Sequence, residues 1–482
     1  MLSEKLLKTI YTVSATLRFN SERTQVLEKL LKKILLNEME QVDLQDECKK
    51  IILSEESDIH AIYPSPEFFF KEEDTIFSLS IPVEDAIDYV NKRYFCPYRE
   101  IFNKHYGFFP DAILVTEYVI SEILYKKAQN IKFNPTIYKF KNKKEFGDLS
   151  FVVIPTKEYI ESWSKISTFT EEEIVNKLLE QIPLENTDLL KEKVKDILNL
   201  ISFSIAELKE QPELRFQQKP LLKINTYTYV LLTSHYFFKC LPQTYELLFR
   251  NCKQYKETKG KVFEKIVLDL LEKIPKSTIN KNIHYDSFEL DGLLNLENTS
   301  WFVECTSRPP SNRSLLGNST AIKNDLEKSV LKCEEQAMRA IKNSNHPNIA
   351  KYSPQKRKGI LILLEGIYPN QNSNTIFQFV PNKENLIRYA INYFDLKIIL
   401  RQPTFETIFF EDFLLWRTQD NMPVFCFDEK DYWAYFINMK NDYTSRQAFE
   451  ECKKKNIKIM YISERFNKKD YLSEMDFGSS GP

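Results

Sequence analysis

The chain has 482 residues, which is longer than a single domain usually is, so two to four domains are expected. Hydrophobic residues make up 43% of it, including 35 phenylalanines and 25 tyrosines, which excludes a wholly disordered protein. The net charge of −1 excludes a uniformly basic nucleic-acid-binding protein, so any such binding requires a local basic patch.

The first half of the chain is predicted to form accessory domains. Residues 1–156 combine helical segments such as DAILVTEYVISEILYKKAQ with the strand-like runs FFFKEEDTIFSLSIP and GDLSFVVIP. Residues 157–255 are predicted to be helical, including the segment TYTYVLLTSHYFFKCL. Neither region carries a chemical motif that can be named, so we expect this mostly helical half to position substrate or partners.

The order of predicted elements changes at residue 256. The helix KETKGKVFEKIVLDLLEKI precedes the strands NIHYDSFELDGLLNL and SWFVECTS, with an extra strand candidate at 278–285. The long helix STAIKNDLEKSVLKCEEQAMRAIKN and the apolar strand KGILILLEGIY follow. Residues 256–372 are therefore predicted to form an α/β core domain.

Residues 373–477 are predicted to form an α/β extension that either extends the core sheet or docks on it. Its candidate strands are IFQFVP, LKIILRQ, MPVFCF and NIKIMYIS. The last residues, 478–482, read GSSGP and resemble an expression-tag remnant, so they are left out of the predicted fold.

Several common classes of protein are not indicated. The chain has nine glycines and neither a GxGxxG nor a GxxxxGK[ST] motif, which argues against Rossmann and P-loop enzymes. The eight cysteines form no CxxC pair and the five histidines no HxH or HExxH pair, so no zinc site is expected. Because no signal peptide and no apolar run of about 18 residues is found, we expect a cytoplasmic protein without a membrane span.

Asp291 and Glu304 interrupt apolar runs in the hairpin of residues 288–310. Strand alternation places Glu304 and Thr306 on one face, and pairing across the turn would bring Asp291 close to Glu304. Two ionised carboxylates about 4 Å apart repel by roughly 4 kcal/mol at an effective dielectric constant near 20. Such a pair requires either a shared proton or a cation between the two groups.

A divalent cation, Mg²⁺ or Mn²⁺, fits the ligands available in this hairpin. Mg²⁺ takes oxygen ligands from one or two carboxylates, from carbonyl groups and from water. Asp291, Glu304 and the backbone carbonyl of Cys305 would supply such a set, leaving positions for a phosphate oxygen and an attacking water. The preceding helix adds Glu264 beside its apolar face, where the carboxylate could orient that water.

Over about residues 256–368, this arrangement resembles the PD-(D/E)XK nuclease superfamily, also called restriction-endonuclease-like. The residues that carry the resemblance, each on its expected helix or strand, are Glu264, Asp291, Glu304, Cys305, Thr306 and Gln336. The resemblance implies an αβββαβ core and metal-dependent hydrolysis of phosphodiester bonds. It also implies that Asp291 and Glu304 are metal ligands and that Glu264 is an auxiliary catalytic acid.

Thr306 departs from the family pattern, because the superfamily carries a lysine at this position. In that superfamily the lysine orients the attacking water and offsets charge on the phosphorane. Some members carry the lysine on the following helix, which makes Lys323 the first catalytic candidate here and Lys328 the second. Thr306 could hydrogen-bond a water, but it supplies no charge.

Basic residues surround the proposed cleft. Arg308 and Arg313 lie in the loop after the Glu304 strand, and lysines crowd the helix that carries Glu264. With Lys328, the two arginines are candidate nucleic-acid contacts, which would make the affinity salt-dependent. The alternative interpretation of such charge runs is a solvated surface.

The sequence therefore predicts a multidomain α/β protein with a restriction-endonuclease-like αβββαβ core, a mostly helical N-terminal region and an α/β C-terminal extension. The expected activity is that of a Mg²⁺- or Mn²⁺-dependent endonuclease, with DNA favoured over RNA and a role in restriction or antiviral defence by analogy. One alternative is a catalytically inert nuclease-like scaffold that binds nucleic acid or a protein partner. Another is a subunit whose activity depends on a protein partner or on a homo-oligomer.

Overall fold

The computed structural model describes eleven ranges of the chain and a few isolated positions. The ranges are 83–129, 157–181, 187–212, 218–232, 241–311, 319–352, 356–365, 387–402, 407–419, 422–426 and 428–455. These residues form two compact units, the first containing the described residues up to Cys252 and the second those from Lys253 onward. The predicted strands FFFKEEDTIFSLSIP and GDLSFVVIP lie outside the described residues.

The first unit combines helices with a four-stranded mixed sheet. Its helices are α1 (Val83–Val90), α2 (Cys96–Tyr106), α3 (Asp111–Gln129), α4 (Lys157–Ser167), α5 (Glu171–Gln181), α6 (Thr187–Ile201), α7 (Ile205–Glu210) and α8 (Leu241–Phe249). Its strands are β1 (Thr168–Thr170), β2 (Ser202–Phe203), β3 (Leu221–Lys223) and β4 (Thr228–Leu231). The sheet order is β1-β4-β3-β2, in which only β2 and β3 run parallel.

The prediction of helix throughout residues 157–255 is wrong at these four strands. The clearest error is at β4, which lies inside the segment TYTYVLLTSHYFFKCL. Threonine, tyrosine and valine favour the pleated, half-buried surface of a strand, and β4 pairs with both β1 and β3. Tertiary pairing therefore overrides the helical interpretation of this apolar run.

The second unit is built around a five-stranded mixed sheet. Its core elements are α9 (Lys253–Leu271), β5 (Thr278–Tyr285), β6 (Phe288–Asn295), β7 (Thr299–Thr306), α10 (Ser319–Leu326), α11 (Lys332–Lys342), the one-turn helix α12 (Pro347–Ala350), β8 (Arg357–Leu364) and β9 (Ile387–Asn392). A π-helical turn, Glu327–Leu331, joins α10 to α11. The sheet order is β5-β6-β7-β8-β9, antiparallel from β5 to β7 and parallel from β7 to β9.

Apart from α12, the elements from α9 to β8 follow the predicted order of helix, three strands, helix and strand. The segment NIHYDSFELDGLLNL, predicted as one strand, divides into the end of β5 and the whole of β6. Asp286, with a φ of 51°, lies in the tight turn between them. The extra strand candidate at 278–285 is β5. The structure thus has a mixed α/β architecture, with β9 as an additional parallel strand.

The strand β8 is buried on both faces, as its apolar sequence predicts. On one face Ile360 and Ile362 pack with apolar residues of α10 and α11, including Leu326. On the other face Leu361 is 1% exposed. Gly359 pairs with Trp301 of β7, and a Cβ on this glycine would lie 2.8 Å from the indole ring. The large ring therefore requires glycine at this position.

The C-terminal part of the second unit contains more helix than predicted. Its elements are α13 (Tyr393–Leu400), α14 (Thr407–Arg417), β10 (Val424–Phe425), α15 (Glu429–Asn441), α16 (Tyr443–Lys455) and β11 (Ile459–Met460). The prediction of LKIILRQ as a strand is wrong, because these residues end α13, which begins where the Asn392 side chain accepts a hydrogen bond from the backbone of Asp395. In IFQFVP the described residues Ile376 and Phe377 are helical.

The two remaining candidate strands do form. The segments MPVFCF and NIKIMYIS contain β10 and β11, which pair in parallel. The strand β9 lies in this region of the chain and extends the core sheet, although it was not predicted.

A buried ion pair joins the C-terminal helices to the core sheet. The guanidinium of Arg417 lies 2.6 Å from Oε1 of Glu429, and both side chains are fully buried. The hydroxyl of Tyr389, on β9, donates a 2.7 Å hydrogen bond to Oε2 of Glu429. The pair thus connects α14, α15 and the edge strand of the sheet.

Among the described helices, none is long and apolar enough to cross a membrane.

Candidate functional site

The hairpin of β6 and β7 brings Asp291 and Glu304 together. The two strands pair with Gly292 opposite Val303, so continuing the register by one residue puts Asp291 opposite Glu304. Oδ2 of Asp291 accepts a 2.8 Å hydrogen bond from the backbone N–H of Cys305. This bond fixes the Asp291 carboxylate beside the Glu304–Cys305 peptide.

Helix α9 brings a third carboxylate to this pair. A Cβ on Gly292 would lie 2.9 Å from Cδ2 of Leu268, so the helix packs closely on β6 next to Asp291. Glu264 lies one turn before Leu268 on the same helix face. The charges of Glu264 and Asp291 interact, and Glu264 is half-buried. We call Glu264, Asp291 and Glu304 the acid cluster.

Glu304 is the most strongly perturbed member of the acid cluster. Burial, together with the neighbouring negative charges of Asp291, Glu264 and Glu289, raises the pKa of its carboxyl group to about 10. Arg339, on α11, opposes the shift. The side chain is 2% exposed, and its Oε1 atom is buried without a hydrogen-bond partner among the described residues. Such an atom favours a proton or a cation beside it.

The other two acids are perturbed in the same direction. Burial raises the pKa of Asp291 to about 6, although the hydrogen bond from Cys305 works against this shift. Burial and the charge of Asp291 raise the pKa of Glu264 to about 7, and Lys261 opposes this. Each member of the cluster is therefore harder to ionise than a free carboxyl group.

The acid cluster offers oxygen ligands of the kind that Mg²⁺ and Mn²⁺ bind. Its side chains do not form a complete set of metal ligands by themselves. Within the described ranges no group of three or more His, Cys, Asp or Glu side chains is placed to hold a metal ion. Mg²⁺ is commonly held by one or two carboxylates and keeps several waters, so a cage of side chains is not required. Asp291, Glu304 and the Cys305 carbonyl remain the residues that fit such an ion, and the unpartnered Oε1 of Glu304 supports this fit.

Thr306 and the arginines of the following loop lie at the end of β7. Thr306 is half-buried, and its hydroxyl accepts a 3.4 Å hydrogen bond from the backbone N–H of Arg308. Arg308 is exposed. Arg313 lies outside the described residues. Thr306 therefore helps to hold the start of this loop and brings no charge to the cluster.

The two lysines predicted to replace the missing family lysine are exposed on the helix after β7. Nζ of Lys323 lies 4.0 Å from Oε1 of Glu327, and Lys328 lies in the π-helical turn. Neither lysine is among the charges that shift the pKa values of the acid cluster. Gln336 is half-buried on α11.

The cations that do act on the acid cluster are Arg339 and Lys261, and neither was a predicted site residue. Arg339 lies three residues after Gln336, and its guanidinium lies 4.1 Å from the ring centre of Phe288. Its spacing from Gln336 was the available sequence signal, since residues three apart share a helix face. Lys261 lies three residues before Glu264 and could have been found in the same way.

No protein-family model, curated protein or solved structure matches this chain. What the described residues define is a mixed α/β protein whose second unit carries a crowded carboxylate cluster at the end of a sheet hairpin.

Proposed function

We propose that the acid cluster is the active centre of a Mg²⁺- or Mn²⁺-dependent nuclease that hydrolyses phosphodiester bonds, and that α9 to β8 form a restriction-endonuclease-like core. The observation that carries this proposal is the crowding of three carboxylates whose pKa values are all raised, one of them with a buried, unpartnered oxygen. Burying such groups together is unfavourable unless a proton or cation compensates them.

Each residue of the cluster has a distinct proposed role. Asp291, Glu304 and the Cys305 carbonyl would hold the cation, which when bound would supply positive charge to a phosphate and lower the pKa of a water. Glu264, with a pKa of about 7, accepts a proton from the attacking water near neutral pH. Arg339, on α11, acts electrostatically on Glu304 and would offset charge that develops on the phosphate.

DNA is the favoured substrate, and restriction or antiviral defence is the favoured setting. Both follow from the resemblance of the acid cluster and its element order to the PD-(D/E)XK superfamily. Exposed basic residues on α9 and in the loop after β7 support a polyanionic substrate.

Plasmid cleavage in Mg²⁺ or Mn²⁺ tests the activity. We expect Asp291→Asn and Glu304→Gln to lower the cleavage rate by on the order of 100-fold or more, because one missing charge-stabilising group typically has that effect. Glu335→Gln, which removes an exposed carboxylate of α11, is the matched control and should cleave like the wild type. Equal rates for all four proteins would refute the nuclease proposal.

A catalytically inert scaffold that binds nucleic acid is the second candidate. It is favoured by Thr306, which provides no charge where the superfamily has a lysine. A wild-type protein that binds DNA but leaves it intact with either cation would support the scaffold. Cleavage that starts only after a partner protein is added would instead support a gated subunit.

A further inference from the structure

We propose that a nucleic-acid strand reaches the acid cluster by crossing helix α9 at Gly260, where Lys261, Ser307 and Arg308 bind a phosphate next to the one being cleaved. This inference rests on the proposed function for the position of the cleaved phosphate. We call the proposed binding surface the phosphate path; it consists of Gly260, Lys261, Ser307 and Arg308.

Gly260 is a glycine that the fold itself does not require. It lies in the interior of α9, where glycine is about 1 kcal/mol less favourable than alanine. Among the described residues, a Cβ at this position would meet only Oγ of Ser307, at an ordinary contact distance of 3.8 Å. Gly292 and Gly359 differ, because a Cβ there would lie within 3.0 Å of a neighbouring side chain. The missing side chain of Gly260 therefore leaves the helix backbone open on an exposed surface.

The register of α9 places this opening beside the acid cluster. Leu268 packs at Gly292, Glu264 lies one turn earlier and interacts with Asp291, and Gly260 lies one further turn earlier beside Ser307. One turn advances about 5.4 Å along the helix. The opening is thus one helical turn from Glu264, a separation comparable to that of neighbouring phosphates in a strand.

The groups along the phosphate path are those that bind phosphates in proteins. Lys261 and Arg308 are exposed, and Lys261 forms no direct ion pair with any described residue. The hydroxyl of Ser307 lies beside the open backbone of Gly260, 3.8 Å from where a Cβ of that residue would be. Lysine, arginine and serine side chains and exposed backbone are typical phosphate contacts. A strand of regularly spaced phosphates fits this path, since one phosphate at the cluster places the next at Gly260.

Binding of a labelled DNA duplex to the full chain in EDTA tests this inference without cleavage. We expect Gly260→Leu, which fills the opening, and Lys261→Glu, which reverses a charge, each to weaken binding by about tenfold or more. Lys273→Glu makes the same charge reversal at an exposed residue just after the C-terminal end of α9 and should bind like the wild type. Lys261→Ala should also lower the slope of log affinity against log salt by about one.

The outcomes separate this inference from the nuclease proposal. A Gly260→Ala variant with a raised melting temperature would confirm that the helix accepts a side chain there. If Gly260→Leu does not fold, DNA binding by the variants of the exposed Lys261 decides whether the phosphate path exists. Wild-type affinity in both Lys261 variants, or no binding by the wild type to DNA or RNA, would overturn the phosphate path. Weakened binding in a chain that cleaves nothing in Mn²⁺ would support the path and refute the nuclease activity.

Discussion

Replacing Glu304 with glutamine should stabilise the metal-free protein at alkaline pH. The glutamine keeps the shape of the side chain and removes its titration. In the native protein the pKa of Glu304 is about 10, whereas the value for an unperturbed glutamate is 4.5. Between these two values the native state keeps a proton that the unfolded chain has lost, so the wild type is destabilised as pH rises.

The size of this effect follows from the raised pKa. Each pH unit in the interval costs about 1.4 kcal/mol, which gives at most about 5 kcal/mol between pH 4.5 and pH 8. The raised pKa values of Asp291 and Glu264 also make the protein less stable as pH rises. Their contributions stop growing near pH 6 and pH 7 respectively. We therefore expect Glu304→Gln to raise the free energy of unfolding at pH 8 by about 2–5 kcal/mol, and by little at pH 5.

Urea unfolding followed by tryptophan fluorescence measures this difference, because three of the four tryptophans lie in the second unit. The proteins are the wild type, Glu304→Gln and the exposed control Glu335→Gln, from pH 5 to pH 9 in EDTA. Added Mn²⁺ should stabilise the wild type by about 2.7 kcal/mol at 100 times its dissociation constant, and the Glu304 variant by less. Identical pH slopes for wild type and variant, or equal stabilisation by Mn²⁺, would refute the reasoning.

Three further outcomes are expected. Arg339→Ala should slow plasmid cleavage by about tenfold or more, and Lys323→Ala by less, because of these two residues only Arg339 acts on the pKa of Glu304. A larger loss of rate in Lys323→Ala would instead assign the charge-stabilising role to Lys323. Glu429→Gln should lower the free energy of unfolding by about 3–5 kcal/mol in urea titrations, since it removes the negative charge that pairs with the buried guanidinium of Arg417. Gly359→Ala should cost about 1–3 kcal/mol in the same assay because its Cβ would overlap the Trp301 ring, and an unchanged midpoint would contradict that packing.

The sequence predicted the elements whose pattern is long and regular. Helix α3 has the bounds of the segment DAILVTEYVISEILYKKAQ, and the order from α9 to β8 follows from periodicity and turn residues. Prediction from the sequence failed for short apolar runs, because the same run of residues suits either a buried strand or a buried helix. Thus β4 was predicted as helix and the end of α13 as strand, and only tertiary pairing or a helix cap decides between the two.

The acid cluster was predicted from the sequence, but Arg339 and Lys261, the cations that act on it, were not. Strand alternation and a hairpin turn are local properties, and they place Asp291 opposite Glu304. The charges acting on the cluster depend on which turn of α9 and α11 packs on the sheet. That packing depends on close contacts such as the one between Leu268 and Gly292, which sequence spacing does not reveal.

The C-terminal extension also bears on the site, through the far end of the same hairpin. Glu411 of α14 accepts hydrogen bonds from the backbone N–H of Asn298, at 2.9 Å, and from the hydroxyl of Thr299, at 2.6 Å. These contacts fix the turn from which β7 starts, five residues before Glu304. A slip of one residue in a strand moves every side chain to the opposite face of the sheet. By holding the turn, Glu411 keeps Glu304 on the face where Asp291 meets it, so a helix more than a hundred residues away in sequence maintains the geometry of the acid cluster.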